Sequence, residues 1–143
     1  MAAVSFGGHA PLFDRLAAGG DSVRFGLEFN TVNQVQASVQ DEVSVLVNTR
    51  SRLSIDNFLS QPLTVVDWGV PDFTSLSSEN EQDRRIISRC LLKAIEWFEP
   101  RLSEVQIDLA PAQAGQGICR FSLQAALKLG QVSHRISFSV DQP

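Results

Sequence analysis

The sequence predicts an α+β domain of two layers, in which two amphipathic helices pack on a small, mainly antiparallel sheet of about three strands. Two long segments repeat apolar residues every three or four positions, as one face of a helix does. Three later segments alternate apolar and polar residues, as strands with one covered face do. At 143 residues, the chain is long enough for one domain with its own core.

The first 30 residues are predicted to form an irregular arm, followed by a single domain over residues 31–143. Glycines and a proline interrupt regular structure in this arm, at Gly7-Gly8, Pro11 and Gly19-Gly20. Leu12, Phe13 and Leu16 form its one compact apolar cluster. We expect this cluster to pack on the chain's own domain or to dock on a partner.

The first helix is predicted from about Val35 to Thr49. Valines recur at helical spacing along one face but are poor helix formers, so packing must hold this helix. From Arg50 to Ser77 the sequence predicts mostly loop, with a short edge strand at Leu63 to Val66. Trp68 and Phe73 are predicted to anchor this loop in the core.

The second helix begins in the sequence Ser78-Glu79-Asn80-Glu81, which fits a capping box formed by Ser78 and Glu81. Pro100 is expected to end the helix because it has no N–H and disfavours helical geometry in the residue before it. The apolar face consists of Ile86, Ile87, Cys90, Leu91, Ala94, Ile95 and Phe98.

Three strands are predicted to follow, at Leu102 to Leu109, at Ile118 to Leu129 and in the last residues of the chain. In the last strand, the inward residues are predicted to be Ile136, Phe138 and Val140, and the outward residues Arg135, Ser137 and Ser139. The two helices would cover the inward face of this sheet.

Charge and composition exclude several classes of function. Twelve basic against sixteen acidic residues give a net charge of −4, which argues against a protein that binds nucleic acid. No apolar run approaches the roughly 20 residues that cross a bilayer, so we expect no direct membrane insertion. The N-terminal residues do not read as a secretory signal, and two distant cysteines fit a reducing compartment. The sequence therefore predicts a cytoplasmic protein.

Residues that could bind a metal or attack a substrate are few. His9 and His134 lie far apart and outside any metal-binding motif, so we predict no metal site and no other cofactor. Cys90 and Cys119 both fall on predicted apolar faces, which favours buried structural thiols over a nucleophile.

Glycoside hydrolysis would need two carboxylates about 5–9.5 Å apart. Glu96, Glu104 and Asp108 are predicted on solvated faces, which leaves Glu99 at the end of the second helix. Because the nearby guanidinium of Arg101 favours an ionised carboxylate, Glu99 is a poor general acid. We therefore predict no catalytic residue.

The sequence Glu99-Pro100-Arg101 has two interpretations. It is either a helix stop, whose charges are solvated or pair with each other, or a fixed charged corner that pairs with groups on another chain. The residues themselves leave both open.

Four motifs, in this order and spacing, resemble one protein family. They are Leu12-Phe13-Asp14-Arg15-Leu16, Val47-Asn48-Thr49-Arg50, Asp67-Trp68-Gly69-Val70-Pro71-Asp72-Phe73 and Phe98-Glu99-Pro100-Arg101-Leu102. The chain is similar to the TssE family of type VI secretion baseplate subunits and to its "lysozyme-like" relatives in phage baseplate wedges. Trp68 departs from the tyrosine usual in that family, and residues 17–33 match nothing in its pattern.

The resemblance implies a structural role and no enzymatic activity. TssE-like proteins lie in a baseplate at the cytoplasmic side of the inner membrane with TssF, TssG and TssK, and they start assembly of the sheath subunits TssB and TssC. The resemblance implicates Glu99, Pro100 and Arg101 in contacting the first sheath subunits.

An open sheet edge could accept a strand from another chain. We expect the region Ser133 to Val140, or its neighbouring strand, to present this edge through residues such as Arg135, Ser137 and Ser139. Two alternatives are a peptidoglycan-cleaving enzyme and the equivalent wedge protein of a phage or phage-derived injection device.

Overall fold

A computed structural model describes residues 32–110, 119–129 and 131–142. The predicted arm, with Leu12, Phe13 and Leu16, lies outside the described residues. The helices are α1 (Val32–Val47), α2 (Ile55–Ser60) and α3 (Glu81–Phe98), and the strands are β1 (Leu102–Leu109), β2 (Cys119–Leu129) and β3 (Val132–Gln142). A 3₁₀ turn, Val65–Asp67, lies between α2 and α3.

Helix α1 confirms the predicted valine stripe, since Val35, Val39 and Val43 are buried. It begins at Val32, ahead of the predicted start, and ends at Val47. The side chains of the next two residues bind carbonyls of the last turn: Asn48 Nδ2 donates to Ser44 O at 2.9 Å and Thr49 Oγ1 to Val45 O at 2.7 Å. These bonds satisfy helix-end acceptors and help to end the helix.

Helix α2 was not predicted, because six residues are too few to show a helical repeat. Ser54 caps its start by accepting from Asn57 N, and Phe58 is its buried residue. Lys93 of α3 holds its other end, since its Nζ donates to Phe58 O at 2.6 Å and Gln61 O at 2.7 Å. Lys93 thus joins two helices.

The predicted strand at Leu63 to Val66 is wrong. Leu63 is buried, but the next residues turn into the 3₁₀ turn, and Val65 and Val66 are exposed. The cause is Asp67, whose carboxylate accepts from both the N–H and the hydroxyl of Thr64 and so closes the turn. Trp68 and Phe73 are partly buried against the core, which agrees with their predicted role as anchors of this loop.

The predicted capping box at the start of α3 is also wrong. Asn80 is the N-cap, and its Oδ1 accepts from Gln82 N at 2.9 Å. Two residues in this polar run can cap equally well, so the sequence did not fix the choice. The helix ends at Phe98, before Pro100, as predicted.

In the described part of the chain the sheet has three antiparallel strands in the order β1-β2-β3. Helix α1 packs on β3, and α3 packs on β1 and α1. Phe121, Leu123 and Leu127 of the central strand are fully buried beneath the helices. Burying each of these side chains stabilises the fold by about 1.5–3 kcal/mol. The predicted two-layer α+β architecture is confirmed.

Candidate functional site

A charged corner forms where α3 passes into β1. Glu99 is the C-cap of α3, and its side chain is only 6% exposed. Arg101 Nε donates to Glu99 Oε1 and Arg101 Nη2 to Oε2, both at 2.7 Å. Such a two-point pair is strong and fixes the plane of the guanidinium.

The same arginine ties the corner to both layers of the domain. Its backbone N–H donates to Glu99 Oε1 at 3.2 Å, and its carbonyl accepts from Lys128 N of β2 at 2.9 Å. Its Nη1 donates to the buried Ser38 Oγ of α1 at 3.2 Å. Ser38 was not singled out from the sequence, because a serine within an apolar stripe gives no signal for a contact 63 residues away.

The structure therefore pairs the charges of the corner with each other, as one of the two interpretations anticipated. Both oxygens of Glu99 are occupied and its side chain is buried, so another molecule can reach only the arginine of this pair. The side chain of Arg101 is 24% exposed, and Pro100 beside it is exposed. A contact with another chain would use these two residues.

A second buried carboxylate belongs to the last residue of the 3₁₀ turn. Asp67 is 1% exposed. Its Oδ2 accepts from Thr64 N and Thr64 Oγ1 at 2.9 Å each, and its Oδ1 accepts from Arg52 Nε at 2.9 Å. The Thr64 N–H is the main cause that lowers the pKa of Asp67, and burial opposes it.

Asp67 and the loop that follows it, here called the crossing, pass the end of α1 in close backbone contact. Val70 N donates to Thr49 O at 2.9 Å, and Ser51 N donates to Val70 O at 2.8 Å. Gly69 makes this approach possible with a φ of +111°. A Cβ at this position would stand 2.4 Å from Thr49 O, closer than any side chain can approach.

The corner and the crossing meet through two aromatic rings. Trp68 follows Asp67, Phe98 precedes Glu99, and their ring centroids are 5.1 Å apart at an interplanar angle of 56°. Three of the four motifs noted in the sequence are thus neighbours in space. The fourth, which contains Leu12, Phe13 and Leu16, lies outside the described residues.

The two outer strands of the sheet differ. The pairing of β3 with β2 runs from Cys119↔Gln142 to Leu129↔Val132 without a register shift. In β1 the register shifts between Ser103 and Gln106, and Glu104 lies in this bulge with a φ of +52°. A bulge of this kind disrupts an edge as a template for another strand.

The orientation of the backbone groups in β3 follows from the hydrogen bonds of β2. Lys128 N donates to Arg101 O, and Arg120 O accepts from Ala110 N, so even-numbered residues of β2 face β1. Because backbone groups alternate in direction along a strand, odd-numbered residues of β2 face β3. Their register partners in β3 are even-numbered. The outward N–H and C=O groups of β3 therefore belong to Ser133, Arg135, Ser137, Ser139 and Asp141.

These residues also carry exposed side chains on the face of the sheet away from the helices. Arg135 Nη2 lies 3.5 Å from Glu104 Oε2, so its side chain spans β2 above Ala126. No strand in the described part of the chain pairs with the outer edge of β3. Arg135, Ser137 and Ser139 thus lie on the outer strand with exposed side chains, and their contact with another chain stays a prediction.

The structure distributes the other candidates for chemistry over both layers. Glu96 is exposed on α3, whereas Glu104 and Asp108 are exposed on β1. Cys90 is buried, and burial raises the pKa of its thiol to about 11. The side chain of Cys119 lies outside the described residues.

Within residues 32–110, 119–129 and 131–142, His, Cys, Asp and Glu side chains form no group of three that could hold a metal ion. None of the described helices has both the length and the apolar character needed to span a bilayer.

Comparison with known proteins places this fold in one family. A baseplate complex from the type VI secretion system contains a chain with 19% identity and a TM-score of 0.54, covering 78% of this chain and 96% of that one. A protein described as a tail lysozyme from Geobacter sulfurreducens has 12% identity and a TM-score of 0.51, covering 81% and 94%. A comparison with curated proteins gives no significant match. The family model of baseplate wedge protein gp25 matches residues 33–132, and the chain belongs to that family.

Proposed function

We propose that this protein is a non-catalytic subunit of a type VI secretion baseplate that contacts the wedge subunits and starts assembly of the contractile sheath. Membership of the baseplate wedge family supports a structural role in a baseplate. The observation that carries the finer proposal is the regular outer edge of β3, which no described strand covers.

In this proposal, a strand of the first sheath subunit adds to β3. The outward backbone groups of Ser133, Arg135, Ser137, Ser139 and Asp141 pair with it. Each such hydrogen bond contributes about 0.5–1.5 kcal/mol. Because β3 is already ordered by β2, the incoming strand alone loses conformational freedom, which favours nucleation on this edge over association of free sheath subunits.

The corner supplies a second contact. Glu99 acts as a positioning residue that fixes the guanidinium of Arg101, while Pro100 and the exposed edge of Arg101 meet the partner. The remaining N–H donors suit a carboxylate or carbonyl oxygen. The proposed partners are TssF, TssG and TssK of the baseplate and the sheath subunits TssB and TssC, at the cytoplasmic side of the inner membrane.

A proline at position 137 tests the role of β3. Ser137→Pro removes an outward N–H that β2 does not use, and proline is tolerated at such an edge position. Ser137→Ala is the matched control, because it keeps the N–H. We expect cells producing Ser137→Pro to lack sheaths, seen by fluorescent TssB, and cells producing Ser137→Ala to assemble them. Normal sheaths in both would contradict the proposal.

A lysine in place of Arg101 tests the corner. Arg101→Lys keeps the positive charge beside Glu99 but loses the planar fork. We expect the folded variant to lose recovery of TssF, TssG or sheath subunits in a pull-down, and the matched Arg52→Lys variant to retain it. Equal recovery by both variants would contradict a contact at the corner and indicate that Glu99-Pro100-Arg101 only ends the helix.

The neighbour described as a tail lysozyme suggests peptidoglycan cleavage as a second candidate. The burial of Glu99 beneath Arg101 supports the structural alternative, because a glycan oxygen could not reach this carboxylate. Reproducible clearing of peptidoglycan by the purified protein, lost in Glu99→Gln, would favour the enzyme instead.

A further inference from the structure

The outer edge of β3 lacks several of the features by which proteins keep an exposed strand from pairing, such as a bulge, a proline or a short length. Strand β3 has 11 residues, contains no proline and pairs with β2 without a register shift. Its inward side chains Ile136, Phe138 and Val140 are apolar and buried. In the described part of the chain no strand covers this edge. The edge is therefore regular enough to accept a second strand along most of its length.

The sequence of β3 is complementary to itself when two copies run antiparallel. In the register that sets Phe138 opposite Phe138 of the second copy, Arg135 stands opposite Asp141. A two-fold axis relates the copies, so this pair of opposite charges occurs twice. Opposite charges and aromatic residues that face each other across two strands stabilise the pairing. The charges along the edge thus favour a second copy as its occupant.

The backbone agrees with this register. The outward N–H and C=O groups of β3 belong to odd-numbered residues, and the register sets Ser137 opposite Ser139. Residues paired in this way exchange both of their backbone hydrogen bonds. A shift by two residues would leave Arg135 opposite Ser139 or opposite the residue beyond β3, without the charge pair. The charges therefore favour one register over its neighbours.

Arg135 and Asp141 can each bind a further partner. Their side chains are 70% and 56% exposed. Arg135 Nη2 lies 3.5 Å from Glu104 Oε2, which leaves other donors of the guanidinium to solvent. Asp141 Oδ2 lies 3.3 Å from Arg120 Nη2, a long bond that leaves this oxygen able to accept another donor. Both charges are thus able to pair across the edge.

We propose that β3 pairs with β3 of a second copy in this register and forms a closed dimer. The edge that each copy leaves free is β1, whose bulge at Glu104 disrupts it as a template. Association therefore stops at two copies. The dimer is in exchange with the monomer, and in the dilute monomer the outward amides of β3 return to solvent.

The consequence for assembly rests on the proposed function, whereas the pairing itself does not. In the dimer, the second copy occupies the edge that the proposal assigns to the sheath strand. A sheath subunit must displace that copy before it can add a strand. Self-pairing thus protects the edge from unrelated strands until a sheath subunit arrives.

Sedimentation velocity of the full-length chain over a concentration series tests the pairing. We expect monomer and dimer in exchange, and no larger species. Arg135→Asp and Asp141→Arg each set like charges opposite each other at both ends of the strand pair. Each variant alone should therefore weaken self-association by about tenfold or more. An equimolar mixture of the two variants should form dimers again, because each charge then faces its opposite across the two strands.

Arg89→Asp is the matched control, because it makes the same change of charge at an exposed position of α3. It should keep the self-association of the unmodified protein, and circular dichroism should show that all three variants are folded. A chain that stays monomeric up to millimolar concentration would overturn the proposal. Dimers that persist equally in every variant, or a mixture that fails to restore them, would also overturn it.

Hydrogen exchange adds a second readout. At high concentration the amides of Ser137 and Ser139 should be protected, and dilution should remove this protection. Protection that persists in the dilute monomer would overturn the proposal, because another segment of the same chain would then cover the edge. These measurements contain no sheath subunit, so a failure of self-pairing is distinguished from a failure of the template role, which the Ser137→Pro assay in cells decides.

Discussion

The corner and the crossing both bury a carboxylate under an arginine, but they distribute its hydrogen bonds differently. In the described structure every donor to the Glu99 carboxylate belongs to Arg101. Asp67 has two donors from Thr64 in addition to Arg52. The corner therefore depends on one residue, whereas the crossing keeps part of its network without its arginine.

The two arginines also differ in how far solvent reaches their side chains. The side chain of Arg101 is 24% exposed and that of Arg52 is 63% exposed. Because Arg52 is the more exposed arginine, water can replace it more easily than it can replace Arg101. A buried carboxylate that is left without donors pays the full cost of desolvation, and this cost is therefore larger at the corner. The comparison predicts that equivalent substitutions at the two sites have unequal effects.

Arg101→Ala should have the largest effect. Removing one partner of a buried pair destabilises by about 3–5 kcal/mol, and the partial exposure of Arg101 places it near about 3 kcal/mol. Urea denaturation measures the loss. The double variant Glu99→Ala/Arg101→Ala should lose less than the sum of the two single variants, because it leaves no unpaired charge. Additive losses would contradict the coupling of the two residues.

Gly69→Ala should come next, because it breaks the crossing without touching a charge. The added Cβ would meet Thr49 O at 2.4 Å, and the φ of +111° disfavours any side chain. We expect a loss of about 2 kcal/mol in the free energy of unfolding. Circular dichroism during thermal unfolding checks it, and an unchanged midpoint would show that the crossing is loosely packed.

Acid should weaken the crossing through Asp67. Its pKa is lowered in the folded state, so its contribution to stability is present above the ordinary carboxyl value of about 3.9 and is lost as the pH falls through the folded value. The urea midpoint of the unmodified protein should fall more steeply below about pH 4 than that of Asp67→Asn. Equal slopes would contradict this assignment. Asp141→Asn is the control for an exposed pair.

Arg52→Ala should have the smallest effect, since Thr64 continues to donate to Asp67. We expect a decrease in the urea midpoint well below that of Arg101→Ala. Equal decreases in the urea midpoint for the two arginine variants would contradict the predicted difference between the two sites. A large decrease on Thr64→Ala, which also removes a donor to Asp67, would support the importance of Thr64.

The long periodic elements could be predicted from the sequence, because their burial repeats with the period of the structure. The valine stripe of α1 and the inward residues Phe121, Leu123 and Leu127 are of this kind. The 3₁₀ turn could not be predicted, because the hydrogen bonds that the Asp67 carboxylate accepts override an apolar run that favours a strand. The N-cap Asn80 was missed because several neighbouring residues cap helices well.

The candidate site was predicted only in outline. Glu99, Pro100 and Arg101 were singled out, but the contact with Ser38 joins residues far apart in the sequence and has no local signal. The difference between the two sheet edges depends on the bulge at Glu104, which regular alternation does not reveal.

Hydrogen exchange along β3 tests the template role most directly. In the isolated protein, the outward amides of Ser137 and Ser139 should exchange quickly, while the inward amides of Ile136 and Phe138 exchange slowly. On addition of sheath subunits, Ser137 and Ser139 should become protected. Rapid exchange that persists in the sheath-bound protein would contradict strand addition at this edge.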